Sequence, residues 1–504
     1  MSSIKKLAGQ TLWYGLSNVA ARFLNYLLTF LHVRLFDTSE FGDVSIFYAN
    51  AALLNILFTY GMETAYFRFV QQEKARGVVY STGFVSLFLS TILLSSLLIF
   101  YRGPIADLMN IGNNPEWITW LSLILAADTL AALPFAILRQ QNRPRKYASV
   151  KIANILLTIG LQIFFFFLYP KWSGKEVDIS YVFLSNLIAS IATLVFLSKE
   201  ISLVRWNFSP GLWKQMMVYA LPLIVVGFGG MINETIDRQL LLRFYEGTVE
   251  EAKSAVGIYS ANYKLAILIV LFIQAFRMGA EPFFFQQSVD KNAPKTYARV
   301  MKFFVLACCL CFLFIVLFLD VWKSLINAKH PEYGYGIMVV PILALSKVFL
   351  GIYYNLSIWY KLTDKNMYGA LITIIGATIT VAVNIILIPY IGYFGSAIAT
   401  FLCYTFMMVS SYVLGQKYYP IPYAWRKLVA YITISILLFG LHQAIRSFVD
   451  PAWIIHLSGA ALFMLFGWFV LKVEHKEFRK MPIISRFYSP LPMPSESTND
   501  PNYP

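Results

Sequence analysis

Polar and basic side chains recur at helical spacing in the first apolar segment of the chain. Asn18, Arg22, Asn25, Thr29 and His32 lie four, three, four and three residues apart, which places them on one face of an α-helix. Arginine offers a planar fork of donors that can hold two oxygens of a phosphate group at once. Amide and hydroxyl side chains suit sugar hydroxyls. The spacing therefore predicts a helix face that contacts water or a substrate.

Other ionisable side chains also lie inside apolar segments, where a charge at the bilayer centre costs roughly 2.5–3.5 kcal/mol to insert. We predict a substrate-binding set that consists of Arg22, Asn18, Asn25, Lys264, Arg277, Arg238 and Gln274. A second set is predicted either to bind a coupling ion or to form salt bridges, and it consists of Glu63, Asp128, Glu234, Asp237, Glu281 and Lys347.

Local pairing is an alternative to a substrate or ion role for several of these residues. Glu234 precedes Arg238 by four residues, so the two side chains can form a salt bridge within one helix. The same spacing separates Arg277 from Glu281. For Lys264, near the predicted external mouth, the alternative is that the side chain snorkels to the membrane surface.

Three further residues have different alternatives. Asp128 and Lys347 lie at mid-depth in corresponding apolar segments, and they are expected either to form a structural contact or to belong to a coupling relay. Arg22 has no acidic residue within four positions, so local pairing does not explain it. We therefore expect Arg22 to face the substrate.

The elements that position these residues must be membrane-spanning helices. The chain has 504 residues, of which 58% are apolar and only 13% are charged, and its mean hydropathy is +0.62. A peripheral protein and an outer-membrane barrel are both excluded, because the apolar residues run continuously for about 20 positions at a time. We predict an all-α, polytopic membrane protein with fourteen spans.

The distribution of basic residues predicts the orientation of these spans. The net charge of +15 would suggest nucleic acid in a soluble protein. Here Lys and Arg concentrate in alternate connections between the apolar segments, which is the pattern of cytoplasmic loops. We therefore predict that both termini are cytoplasmic and that nucleic acid is not a partner.

An internal repeat predicts how the helices are grouped. Setting Gly42 on Gly257 also sets Ser45 on Ser260, at the boundary of the first two spans and of the seventh and eighth. We predict two six-helix lobes at residues 1–210 and 211–415, followed by two additional helices at 416–480. Such repeats are found in transporters that rock one half against the other. The Pro-rich and Ser-rich residues 481–504 are predicted to form a disordered cytoplasmic tail.

The pattern of six, six and two spans, the turn Glu40-Phe-Gly42 and the string Val256-Gly-Ile-Tyr-Ser-Ala-Asn-Tyr-Lys264 resemble one transporter superfamily. It is the multidrug/oligosaccharidyl-lipid/polysaccharide exporter superfamily, and the resemblance is to its polysaccharide-transport branch of Wzx-type flippases. The resemblance implies a MATE-like fold in a bacterial inner membrane. It also implies translocation of an undecaprenyl-pyrophosphate-linked oligosaccharide to the periplasmic leaflet, with a polymerase and a chain-length regulator as further partners.

Two other functions are alternatives to the flippase. A cation-coupled multidrug exporter of the same superfamily would need a cavity rich in carboxylates, whereas the clearest polar stripe carries Arg22. An integral-membrane polymerase or glycosyltransferase would need a large loop for its chemistry, and the predicted connections are short. We predict no catalytic site, no metal site and no cofactor, with coupling to H⁺ or Na⁺ left open.

Overall fold

The computed structural model of the protein describes residues 19–20, 22–72, 76–111, 114–288, 290–327, 329–449 and 451–478. The regular secondary structure of these residues is entirely helical, as predicted. Asn18 and the predicted tail at 481–504 lie outside the described residues.

The helices follow one another along the chain with short connections. Two short helical turns, a π-helix at Phe164–Leu168 and a 3₁₀-helix at Pro331–Gly336, interrupt the series. The α-helices are α1 (22–35), α2 (Thr38–Thr59), α3 (Met62–Gln72), α4 (Arg76–Phe100), α5 (Arg102–Leu108), α6 (Glu116–Gln140), α7 (Pro144–Ile163), α8 (Tyr169–Ser173), α9 (Ser180–Phe196), α10 (Ser198–Ile201), α11 (Pro210–Phe244), α12 (Val249–Gln287), α13 (Ala293–Val316), α14 (Leu319–Ile326), α15 (Val339–Leu356), α16 (Ile358–Leu362), α17 (Asn366–Ile391), α18 (Tyr393–Tyr418), α19 (Trp425–Phe448), α20 (Ala452–Val473) and α21 (His475–Phe478).

Twelve helical segments of the described chain are long and apolar enough to cross a membrane, so the predicted count of fourteen is not confirmed. The first predicted span begins in residues that are not described. The sixth corresponds to α9, an apolar helix of 17 residues that is shorter than a typical span.

Capping boxes start the two helices that correspond in the repeat. Asp37 caps α2, and Glu40 returns a hydrogen bond to its backbone. Thr248 and Glu251 do the same at the start of α12. Each box satisfies backbone donors that the first turn leaves without partners. These helices differ farther along, because Gly61 has a φ of 71° and separates α2 from α3, whereas α12 continues to Gln287.

Two sets of helices pack mainly among themselves. In the first half of the chain α4 packs on α6, and α9 packs on both α6 and α7. In the second half α18 packs on α15 and α17, while α11 packs on α17 and α12 packs on α15. The two sets meet where α2 packs along α12 and α11. The α2–α12 contact therefore joins the two predicted lobes.

Two glycines of the repeat allow this contact. A Cβ atom on Gly42 would overlap the carbonyl group of Lys253 in α12, and one on Gly257 would overlap the carbonyl group of Thr38 in α2. The backbones of the two helices therefore approach each other at equivalent glycines. The Thr38 and Ser254 hydroxyls lie 2.7 Å apart and add a polar contact at the same crossing.

Replacing Gly42 by alanine is expected to destabilise the protein by about 1–3 kcal/mol, because the added methyl group overlaps backbone that cannot move aside without separating α2 from α12. Gly230→Ala is a matched control, since a Cβ atom there meets nothing within 4 Å. Unfolding midpoints of the purified variants test this expectation. Equal midpoints for the two variants would show that the glycine crossing contributes no stability.

The described part of the chain divides into two compact units, with the boundary between Trp425 and Arg426. In the second unit Glu474 is buried and receives hydrogen bonds from Lys427 at 3.0 Å and from Tyr431 at 2.6 Å. His442 of α19 lies 3.2 Å from the carbonyl oxygen of Ile455 in α20. These contacts join the two C-terminal helices to each other.

Candidate functional site

A central cavity of about 400 Å³ lies between the two sets of helices. Helices α1, α2, α7 and α9 of the first half and α11 and α12 of the second half all contribute to it. The polar and charged residues that line it are Asn25, Thr29, His32, Ser45, Tyr48, Asn154, Thr158, Gln162, Asn186, Glu234, Thr235, Arg238, Ser260, Tyr263 and Lys264.

The polar face predicted for the first span lines this cavity along part of its length. Asn25, Thr29 and His32 face the cavity, and the His32 ring lies 2.8 Å from the side-chain oxygen of Gln162 in α7. Arg22 is exposed and is not among the lining residues. It lies seven residues before Thr29 on α1, about 10 Å along the helix axis.

Two basic side chains of the second half reach the central cavity. Lys264 is half-buried, and no described acidic side chain lies within 4 Å of its ammonium group. Arg238 is buried and pairs with Asp237 at 2.7 Å. It also donates a hydrogen bond to the backbone carbonyl of Glu234 at 2.9 Å. Among the described residues, no carboxylate lies close enough to Lys264 to neutralise its charge directly.

Side chains from three other helices form hydrogen bonds or an ion pair with the Glu234 carboxylate. Tyr263 and Tyr404 donate hydrogen bonds to its two carboxylate oxygens at 3.1 and 3.2 Å. The Lys347 ammonium group lies 3.5 Å from the same carboxylate and donates a hydrogen bond to Tyr263. Tyr259 in turn donates to Asp237 at 2.6 Å. We call Glu234, Asp237, Arg238 and Lys347, with these tyrosines, the second-half charge cluster.

The pairs within this cluster leave the cavity with a positive excess. Lys347 and Arg238 balance Glu234 and Asp237, so the two carboxylates are neutralised by their own neighbours. Lys264 then adds a charge that has no direct partner among the described residues. In a site shielded from water, such a cation attracts an anion much more strongly than it would at an exposed surface.

The local salt bridges that were alternatives for the two pairs four residues apart are replaced by other contacts. Arg238 pairs with Asp237 rather than with the Glu234 carboxylate. Glu281 pairs with Lys361, and the Arg277 guanidinium lies over the Tyr354 ring at 4.0 Å. Arg277 lines a separate cavity of only about 20 Å³. Neither Arg277 nor Gln274 is among the described residues that line the central cavity, and their contact with substrate stays a prediction.

The remaining acidic residues of the predicted set lie in the first half. Glu63 of α3 forms a salt bridge with Arg139 at the end of α6. Asp128 faces a side cavity of about 570 Å³, and Lys151 of α7 also lines this cavity. Asp128 and Lys347 therefore belong to different clusters, in different halves of the chain, and form no contact with each other.

The sequence did not identify four basic or aromatic residues that lie beside the predicted acidic residues. Arg139 and Lys361 lie at the ends of spans, where they resemble ordinary loop cations. Lys151 occupies the first turns of its span, and Tyr404 is one of 31 tyrosines. The repeat was a usable signal. Gly61-Met-Glu63 resembles Gly279-Ala-Glu281, and the basic partners of these two acids, Arg139 and Lys361, lie at the ends of corresponding spans.

Comparison with solved structures supports the fold. The lipid II flippase MurJ in an inward closed conformation superposes with a TM-score of 0.67 at 15% identity, over 91% of this chain and 98% of that one. An inward-facing multidrug resistance MATE transporter of the MOP superfamily gives a TM-score of 0.62 at 14% identity, over 84% and 96% of the two chains. An outward-facing MATE transporter of that superfamily gives a TM-score of 0.55 at 13% identity, over 85% of this chain and 96% of that one.

Sequence comparison gives the family. No curated protein sequence matches the chain significantly. The family model described as "Polysaccharide biosynthesis protein" matches residues 7–288, which is more than half of the chain. The chain is thus a multi-pass membrane protein that belongs to the polysaccharide biosynthesis protein family, within the multidrug/oligosaccharidyl-lipid/polysaccharide exporter superfamily.

Proposed function

We propose that the protein is a flippase for an undecaprenyl-pyrophosphate-linked oligosaccharide, such as the repeat unit of an O-antigen, a capsule or an exopolysaccharide. It moves this lipid from the cytoplasmic to the periplasmic leaflet of a bacterial inner membrane, with both of its termini in the cytoplasm. A polymerase and a chain-length regulator then act on the translocated product. The protein is a transporter, and no cofactor takes part.

The observation that carries the proposal is the position of Lys264 in the central cavity. Its ammonium group faces a polar space between the two halves and has no described acidic side chain within 4 Å. A pyrophosphate is a compact anion that would supply the missing partner. Arg22, at the beginning of α1, is exposed and offers a second cation about 10 Å away from Thr29 along the helix.

The contact between the two halves supports alternating access. Equivalent glycines let α2 and α12 cross closely at the ends that the charge distribution assigns to the external side. The salt bridge between Lys253 and Asp43, at 3.0 Å, joins the same two ends. We propose that these contacts separate when the halves rock, and that the substrate then leaves to the periplasmic leaflet.

Salt bridges limit which carboxylates are available to couple transport to H⁺ or Na⁺. Glu63, Glu234, Asp237 and Glu281 each have a basic partner. Coupling to H⁺ or Na⁺ would therefore have to break one of these pairs or act through Asp128, which has no basic side chain within 4 Å among the described residues.

A cation exporter of the same superfamily is the function to be distinguished. Among the described residues that line the central cavity, Glu234 is the only carboxylate that could bind an organic cation, and Lys347 and two tyrosines already contact it. Loss of the protein from its source cells should abolish surface polysaccharide and accumulate lipid-linked oligosaccharide. Ethidium efflux should not change. Unchanged surface polysaccharide together with reduced ethidium efflux would replace the flippase by the cation exporter.

A further inference from the structure

The side cavity of the first half is larger than the central cavity and has a different chemical character. It measures about 570 Å³, within the range of roughly 300–1,000 Å³ that is usual for small-molecule sites. Helices α2, α3, α6, α7 and α9 surround it. Asn154 and Asn186 line both cavities, so the two spaces adjoin each other at these side chains.

The charges that line the side cavity balance each other. Glu63 and Arg139 form a salt bridge, and Asp128 faces the same space as Lys151. The Lys151 ammonium group also lies over the Phe135 ring at 4.2 Å. Among the described lining residues, two acids and two bases leave no net charge, in contrast to the positive excess at Lys264. A neutral polar ligand therefore fits this cavity better than an anion or a cation does.

The rest of the lining consists mainly of amide and hydroxyl groups. Asn55 and Thr59 lie one turn apart on α2, and Ser190 and Thr193 face them from α9. Amides and hydroxyls both donate and accept hydrogen bonds, as sugar hydroxyls do. This combination is typical of a carbohydrate site rather than of a lipid or ion site.

The junction residues are fixed in place. Asn154 donates hydrogen bonds to the Thr193 hydroxyl at 2.9 Å and to the Ala189 carbonyl at 3.1 Å. Asn186 donates to the Tyr48 hydroxyl, on the central side, at 2.9 Å. The polar lining therefore runs without interruption from the central cavity into the side cavity.

We infer that the side cavity binds the oligosaccharide of the substrate while Lys264, in the central cavity, binds its pyrophosphate. This inference rests on the proposed flippase function and adds the place at which the glycan is recognised. The first half would then select among glycans. The second half would bind the pyrophosphate that all such lipids share.

Cysteine protection in the purified full-length protein tests this division. Asn55→Cys reports on the side cavity, with Thr59→Cys as a second reporter there, and Ser45→Cys reports on the central cavity. The unsubstituted protein gives the background, since its described cysteines are buried apart from the half-buried Cys311. The probes are undecaprenyl pyrophosphate without sugar and the lipid-linked oligosaccharide extracted from the source cells.

We expect the sugar-free lipid to protect only the central reporter and the glycosylated lipid to protect all three. At a lipid concentration about ten times its Kd, the labelling rate of a protected cysteine should fall about 10-fold. If the glycosylated lipid protects the central reporter alone, the inference is overturned but the proposed flippase function is not. Protection of the side reporters by the sugar-free lipid would also overturn it. If neither lipid protects any reporter, the proposed function itself fails.

Discussion

Replacing Lys264 by Gln is expected to weaken binding of undecaprenyl pyrophosphate about 10-fold to 100-fold and to slow its translocation to a similar extent. A hydrogen bond to a charged group contributes about 1.5–3 kcal/mol, and each 1.4 kcal/mol corresponds to a factor of ten in affinity. Glutamine keeps much of the length and polarity of the side chain and removes only the charge. Lys264→Arg keeps the charge and should retain most of the binding.

A matched control separates this effect from a general loss of positive charge. Lys214 lies exposed on α11 and lines neither of the two cavities, so Lys214→Gln should bind the lipid as the unsubstituted protein does. Binding is measured on purified protein in nanodiscs, with the unfolding midpoint as a check on folding. Equal affinity for the Lys264→Gln and Lys214→Gln variants would remove Lys264 from the anion site.

Replacing Glu234 by Gln is expected to destabilise the protein by about 3–5 kcal/mol, because it leaves a buried lysine without its carboxylate partner. The Lys347 side chain has no exposed surface, whereas the Glu234 side chain is 39% exposed to the cavity. Lys347→Met should therefore cost less, since the remaining carboxylate is partly exposed and Arg238 lies nearby.

The double variant Glu234→Gln, Lys347→Met distinguishes a buried ion pair from two independent effects. Removing both charges leaves neither one without a partner, so the double variant should unfold at a higher temperature than Glu234→Gln alone. Thermal unfolding of the purified variants supplies the measurement. If the losses of the two single variants simply add, the charges do not stabilise each other and the cluster is not the structural unit described above.

Much of the fold follows from local patterns in the sequence. Twelve of the predicted spans are helices because their apolar runs are long enough to satisfy every backbone group within the membrane. The polar stripe of α1 is read directly from its spacing, and Asn25, Thr29 and His32 do face the central cavity. At Gly42 and Gly257, which align in the repeat, the backbones of α2 and α12 come into close contact.

The partners of the buried charges could not be predicted in the same way. Spacing within one helix suggests Glu234 for Arg238 and Glu281 for Arg277. Arg238 instead pairs with the adjacent Asp237, and other helices supply the partners of Glu234 and Glu281. Lys361 reaches Glu281 from 80 residues away, and the tyrosines and Lys347 reach Glu234 from other helices. Which residues pair with a buried charge depends on how the helices cross, and a single sequence does not specify this.

The measurement that tests the central claim most directly is translocation in proteoliposomes that contain only this protein. Lipid-linked oligosaccharide from the source cells is placed in both leaflets, and a membrane-impermeant glycosidase or lectin reports how much of it becomes accessible outside. We predict transfer that requires the protein and falls with Lys264→Gln but not with Lys214→Gln. Accessibility that equals that of protein-free liposomes would contradict the assignment of the chain as a flippase for this class of lipid.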